Sequence, residues 1–102
     1  MDEQEQVVIN LIVNSGSARS SAIEAIQYAK AGDMAKAEES LQNAKETVNE
    51  AHHAQTELIQ AEIRGEKAPL NLLMVHAQDH LMTALVVIDL AQEFVDLYKK
   101  VG

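Results

Sequence analysis

The sequence predicts an all-α fold, a three-helix up-down antiparallel bundle. Helix-favouring Ala, Leu, Glu, Gln and Lys dominate the chain. Strong breakers gather at two places only, Gly32-Asp33 and Gly65-Glu66-Lys67-Ala68-Pro69. Between them, apolar residues recur three and four apart, the period of a helix face. The 102 residues fit one domain spanning 1–102.

The first helix is expected from Glu3 to Ala31. Val8, Leu11, Ile12, Ser15, Ala18, Ala22, Ile26 and Ala29 keep helical spacing. Ser15-Gly16-Ser17 weakens its middle, either bending it or admitting a close neighbour. Asp33 is placed to cap the second helix, expected from Met34 to Arg64. There Met34, Ala37, Leu41, Ala44, Val48, Ala51, Gln55, Leu58 and Glu62 form a heptad seam, with alanine allowing close approach. Gln55 and Glu62 are its polar members, expected to be partly exposed as the seam turns away; the sharper alternative is hydrogen bonding to a neighbouring chain. His52 and His53 are adjacent, point about 100° apart and cannot chelate one ion together; they read as solvated flank residues. Arg64 and Lys67 complement the dipole at this helix's end.

The third helix is expected from Pro69, a residue suited to a first helical position, to Lys100, with Lys99 and Lys100 at its C-terminal dipole. It is apolar on two sides. Leu70, Leu73, Ala77, Leu81, Ala84, Ile88, Ala91 and Val95 form one stripe; Leu72, Val75, Asp79, Val86, Leu90, Phe94 and Leu97 form another, roughly opposite. Two more helices from the same chain cover one face. The other calls for further copies, so a homo-oligomer with the third helix at its centre is expected.

Composition excludes several classes. Eight basic against sixteen acidic residues, a formal charge of -8, leave no basic face for nucleic acid and none for an anionic membrane surface. Without cysteine there is no disulfide and no thiolate metal site. The acidic Met-Asp-Glu-Gln-Glu-Gln start is unlike a signal peptide. Asp79, His80, Thr83 and Asp89 interrupt the best apolar run, well short of the ~20 residues of a membrane span. A soluble cytoplasmic protein is expected.

Chemistry concentrates in Val75-His76-Ala77-Gln78-Asp79-His80-Leu81-Met82-Thr83, a titratable cluster inside an apolar helix. On the helical wheel Asp79 sits mid-stripe on the second face. His76 lies about 60° and His80 about 100° to one side, with Gln78 on the opposite shoulder. Around a rotation axis, Gln78 of one copy approaches the histidines of the next. His76 and His80, four apart, are surface neighbours. Such a pair suits a zinc site, although the His-Glu-x-x-His glutamate is missing. A structural pairing suits it better than zinc does. A third use is a neutral imidazole attacking phosphorus, with the second histidine and an amide as donors to the phosphate. Spacing alone does not select among them. Symmetry-related Asp79 carboxylates in an apolar core call for shared protons or a hard divalent cation, unless Asp79 bonds locally.

At these residues the chain resembles a known family, the enzyme IIA component of the lactose/cellobiose (N,N'-diacetylchitobiose) class of the bacterial phosphoenolpyruvate-dependent sugar phosphotransferase system. The resemblance runs through Ala31-Gly32-Asp33-Met34-Ala35-Lys36-Ala37, Glu50-Ala51-His52-x-x-Gln55-Thr56, Glu62 to Gly65 and, most specifically, His76-x-Gln78-Asp79-His80-Leu81-Met82-Thr83. Family members commonly carry Met before the first histidine and Gly after it; here these are Val75 and Ala77.

The resemblance implies a bundle that trimerises into nine helices, with His76 phosphorylated on Nε2 (a tele-phosphohistidine). It also implies His80 and Gln78 as active-site neighbours. Asp79 then meets its symmetry mates on the threefold axis and holds a divalent ion, Mg2+. The implied donor is the phosphorylated HPr carrier. The implied acceptor is a cysteine of the cognate IIB, which serves uptake of lactose, cellobiose or N,N'-diacetylchitobiose through IIC. The competing classes are a non-catalytic helical adaptor and a metal-binding bundle. With Pro69 starting the third helix, the histidines stand about two turns in, where the helix dipole gives a phosphate little help.

Overall fold

The computed structural model describes residues 3–67 and 70–102. It contains three helices, α1 (Glu3–Lys30), α2 (Met34–Ile63) and α3 (Leu72–Val101), in a rod of 51 × 25 × 19 Å. At 1.5 Å per residue a helix of this length spans about 45 Å, so each runs nearly the length of the molecule.

The two connections are built alike. Gly32 and Gly65 take positive φ, +87° and +92°, which L-residues with a Cβ rarely adopt. Asp33 N–H reaches back to the Tyr28 carbonyl at 2.9 Å and Gly32 N–H to that of Ala29 at 3.0 Å. Glu66 and Gly65 repeat the pattern onto Ala61 and Glu62. α1 and α2 thus end in glycine-centred caps that satisfy their last carbonyls. Asp33 then caps α2 as expected, its Oδ1 accepting from Lys36 N–H at 3.2 Å. Arg64 is the C-cap residue of α2, and its Nε donates to Glu66 at 2.8 Å.

The start of α3 differs from expectation. Pro69 lies outside the described residues, and the helix begins at Leu72. Asn71 is its N-cap, with Oδ1 accepting the Met74 N–H at 2.8 Å; an Asn cap satisfies an otherwise orphaned donor. Leu70 therefore precedes the helix and is 87 % exposed, and Leu73 is exposed too. Met74 fills the place expected for Leu73, so the buried seam runs Met74, Ala77, Leu81, Ala84, Ile88, Ala91 and Val95.

Cross-links set the register. Lys99 pairs with Glu38, Lys45 Nζ donates to Gln92 Oε1 at 2.7 Å, and Gln55 Nε2 donates to Gln78 Oε1 at 2.7 Å. Partners on α3 descend as α2 ascends, so the two are antiparallel. Asn43 Nδ2 donates to Ser21 Oγ at 3.0 Å and ties α2 to α1. The hydrogen bond to Glu38 holds the exposed Lys99 ammonium above the usual lysine range. The core is mostly alanine, with Val8, Leu11, Leu41, Val48, Met74, Leu81, Ile88 and Val95 as its larger members. Small side chains bring the helix axes close together.

α1 is unbroken through Ser15-Gly16-Ser17, and nothing lies within 4 Å of where a Gly16 Cβ would stand. The close neighbour expected at that glycine is not present among the described residues. Instead Ser15 is fully buried, and its hydroxyl has no partner among the described residues. An unpaired buried hydroxyl costs stability, and alanine is the better helix former. Ser15→Ala is therefore expected to stabilise the chain by about 1 kcal/mol, read as a rise of several degrees in the thermal midpoint. A lowered midpoint would show that the hydroxyl is used.

Candidate functional site

The site lies in the second and third turns of α3. Because the helix starts at Leu72, His76 stands only about one turn in, closer to the N-terminus than the two turns expected. It lies just past the turn where the dipole acts most strongly. Ala77 and Leu81 are fully buried against the other helices, and this fixes the rotation of the whole segment. His76 and Asp79 consequently face outward, and His80 and Gln78 lie half-buried on the shoulders.

The two histidines meet. Their Nε2 atoms are 3.0 Å apart, and the rings stand edge-to-face, 4.4 Å between centroids and 87° between planes. A hydrogen bond between two imidazoles needs one N–H and one lone pair. The pair therefore presents one nucleophilic nitrogen beside one donor, and which ring plays which part is set by the tautomer. Thr83 lies one turn on, its hydroxyl donating to the carbonyl of Asp79 at 2.8 Å and of His80 at 3.2 Å. That bond satisfies the hydroxyl within the helix.

Gln78 projects about 200° around the helix from His76, toward α2. Its Oε1 accepts from Gln55 and its Nε2 donates to Met74 Sδ at 3.7 Å. Within one chain it does not reach the histidine pair. Gln55, expected to be partly exposed or bonded to another chain, is 9 % exposed and bonded within its own chain. The antiparallel register places a matching amide opposite it, which removes the cost of burial. Glu62 is exposed. His52 and His53 are exposed flank residues, His53 Nε2 lying 3.5 Å from Glu57 Oε1.

Asp79 makes no side-chain hydrogen bond or ion pair among the described residues, so the local-bonding alternative is not what the chain adopts; only its carbonyl is used. It stands on the exposed face among Val75, Met82, Val86, Leu90, Phe94 and Leu97. Among the described residues no three His, Cys, Asp or Glu side chains of one chain gather as metal ligands. One chain thus supplies a single carboxylate, and its oxygens suit a hard cation only if other copies supply the rest. A groove of about 620 Å³ between α1 and α2, lined by Tyr28, Lys36 and Asn43 among others, includes no residue of α3.

The family described as "PTS system, Lactose/Cellobiose specific IIA subunit" matches residues 6–99. The chain belongs to this family. A lichenan-specific phosphotransferase enzyme IIA component of Bacillus subtilis is 53% identical over 100 residues, covering 98% of this chain and 91% of that protein. The crystal structure of a cellobiose-specific enzyme IIA from Bacillus anthracis superposes with a TM-score of 0.94 at 59% identity, covering 99% of this chain and 93% of the other. The IIA of the N,N'-diacetylchitobiose branch of the Escherichia coli phosphotransferase system, solved in complex with HPr, matches with a TM-score of 0.83 at 42% identity, covering 99% and 98%. This chain is accordingly a phosphotransferase component of the IIA type with an all-helical fold. No helix among the described residues is long and apolar enough to cross a membrane.

Proposed function

We propose that this IIA chain is a cytoplasmic phosphoryl carrier in the uptake of a disaccharide such as cellobiose, lactose or N,N'-diacetylchitobiose. It accepts phosphate from phosphorylated HPr on His76 and passes it to a cysteine of the cognate IIB, which serves the IIC transporter. The observation that carries this is the outward-facing histidine pair with Nε2 atoms 3.0 Å apart, in a chain of the IIA family.

In this reading His80 donates Nε2–H to the Nε2 lone pair of His76 in the resting state. The His76 lone pair forms the new N–P bond as the P–N bond to the HPr imidazole breaks. The His80 N–H is then freed to donate to a phosphoryl oxygen, a charge-assisted bond. In the second transfer a thiolate of IIB forms S–P as the His76 N–P bond breaks. The net charge of -8 favours basic surfaces on both protein partners.

The working form is a homotrimer, a nine-helix bundle with α3 at the centre. The exposed apolar face of α3 supports this. So does the position of Gln78, which can serve a histidine pair only on a neighbouring copy. Three Asp79 carboxylates on the axis then offer oxygen donors to a divalent cation such as Mg2+. Incubation with phosphoenolpyruvate, enzyme I and HPr, followed by intact-mass measurement without acid, tests the function; a chain that gains no phosphoryl group is not this carrier.

The axial carboxylates place like charges in apolar surroundings, so Asp79→Leu is expected to preserve or raise trimer stability and to abolish any axial ion. Sedimentation and thermal unfolding with and without Mg2+ check this. Loss of the trimer in Asp79→Leu, where the parent stays assembled, would mean that the carboxylate is an essential ligand.

A further inference from the structure

Gln55 interrupts a seam otherwise made of Ala, Leu and Val. Its Nε2 donates to Gln78 Oε1 at 2.7 Å and to Met82 Sδ at 3.6 Å. A thioether accepts hydrogen bonds and donates none, so Met82 turns the amide nitrogen of Gln55, not its oxygen, toward α3. Met74 acts the same way on Gln78, whose Nε2 lies 3.7 Å from its Sδ. Two sulfurs thus orient two amides. Gln55 engages Oε1 of Gln78, and the Gln78 amide nitrogen keeps two hydrogens to offer, one held weakly by sulfur, the other without a partner among the described residues. An amide held with its oxygen engaged and an N–H to spare suits an anion. The opposite flip would present a carbonyl oxygen and repel one.

We propose that Gln55 is a positioning residue for phosphoryl transfer: by occupying Oε1 of Gln78 it sets that amide as a donor toward the phosphoryl group of a neighbouring copy. This rests on the reading of Gln78 as a donor to a phosphoryl group on His76. In this orientation both sulfurs face amide N–H groups and the amide–amide bond forms; turning either amide over would set its oxygen against a sulfur that cannot donate. Leucine at position 55 would fill the space and leave Gln78 free to turn over. Glutamate would keep the shape and a hydrogen bond but accept the Gln78 N–H, turning its oxygen outward.

The test uses the full chain with phosphorylated HPr. Initial transfer rates and the lifetime of the phosphorylated form are measured for Gln78→Ala, Gln55→Leu, Gln55→Glu and the Gln55→Leu/Gln78→Ala pair, with the unfolding midpoint of each. Gln78→Ala is expected to slow transfer. Gln55→Leu should slow it roughly fivefold, the scale of one hydrogen bond. Gln55→Glu should slow it more although its bond to Gln78 persists. In the Gln78→Ala background Gln55→Leu should add nothing further. Gln55→Met replaces Gln55→Leu if the latter does not fold.

The proposal is overturned if the Gln55 variants transfer at the parent rate while Gln78→Ala is slow, or if the two losses multiply in the double variant. If Gln78→Ala itself transfers at the parent rate, the reading of Gln78 as a donor fails, and Gln55 has nothing to act through. That pattern differs from the failure of Gln55 alone.

Discussion

His76→Gln is expected to take up no phosphate, and His80→Gln to take it up slowly and to lose it faster. Glutamine lacks a nucleophilic nitrogen lone pair, so the first substitution removes the atom proposed to form the N–P bond. The second removes the ring whose Nε2 stands 3.0 Å from that atom, the nearest donor to the incoming group. A phosphoryl group adds a charge of about -2. The chain already carries -8, and the position of His76 about one turn into α3 leaves the helix dipole a minor contributor. Side-chain donors must therefore carry most of the stabilisation. Loss of one hydrogen bond to a charged group costs about 1.5–3 kcal/mol, or roughly ten- to a hundredfold in rate. Each variant is incubated with phosphoenolpyruvate, enzyme I and HPr and weighed without acid. A full addition of about 80 daltons, one phosphoryl group, on His76→Gln would sink the assignment, and its absence on His80→Gln alone would exchange the roles.

The helices and their faces were legible because period and breakers agreed. Gly32-Asp33 marked one turn, and the stripe from Ala77 to Val95 kept its heptad spacing. The start of α3 was not legible. Pro69 is a stronger local signal than Asn71, yet the Asn71 side chain, by accepting the Met74 N–H, decides where the helix begins. That shift carried Met74 into the core and left Leu70 and Leu73 outside it. Gln55 was misread for a different reason. A buried amide is costly alone, and its partner Gln78 is 23 residues away in sequence, joined only by the antiparallel register. For the histidines, i and i+4 spacing showed that the rings are neighbours. That their Nε2 atoms meet depends on side-chain rotamers that no spacing rule contains.

Val86→Glu combined with Leu90→Glu is expected to convert the proposed trimer to single chains without unfolding them. In one chain these residues are already 57 % and 52 % exposed, so charge there costs the isolated bundle little. They belong to a continuous apolar face, with Val75, Met82, Phe94 and Leu97 also exposed, roughly opposite the buried seam. A face of that extent marks an interaction surface. Its placement on the helix that carries the histidines, with Asp79 near its middle, fits copies of the same chain arranged about an axis. In such an arrangement every substitution enters several times over, and each carboxylate meets its own symmetry mates. Burying an unpaired charge costs several kcal/mol, and each 1.4 kcal/mol is tenfold in an association constant. Glutamate rather than lysine is the right replacement, since it adds to the existing excess of acid and finds no new ion pair. Sedimentation equilibrium should give a trimer for the parent and a single-chain mass for the double variant, with helical circular dichroism unchanged. A parent that sediments as a stable monomer at micromolar concentration would remove the trimer. It would also remove the shared axis at Asp79 and the neighbour's histidine pair as the group served by Gln78.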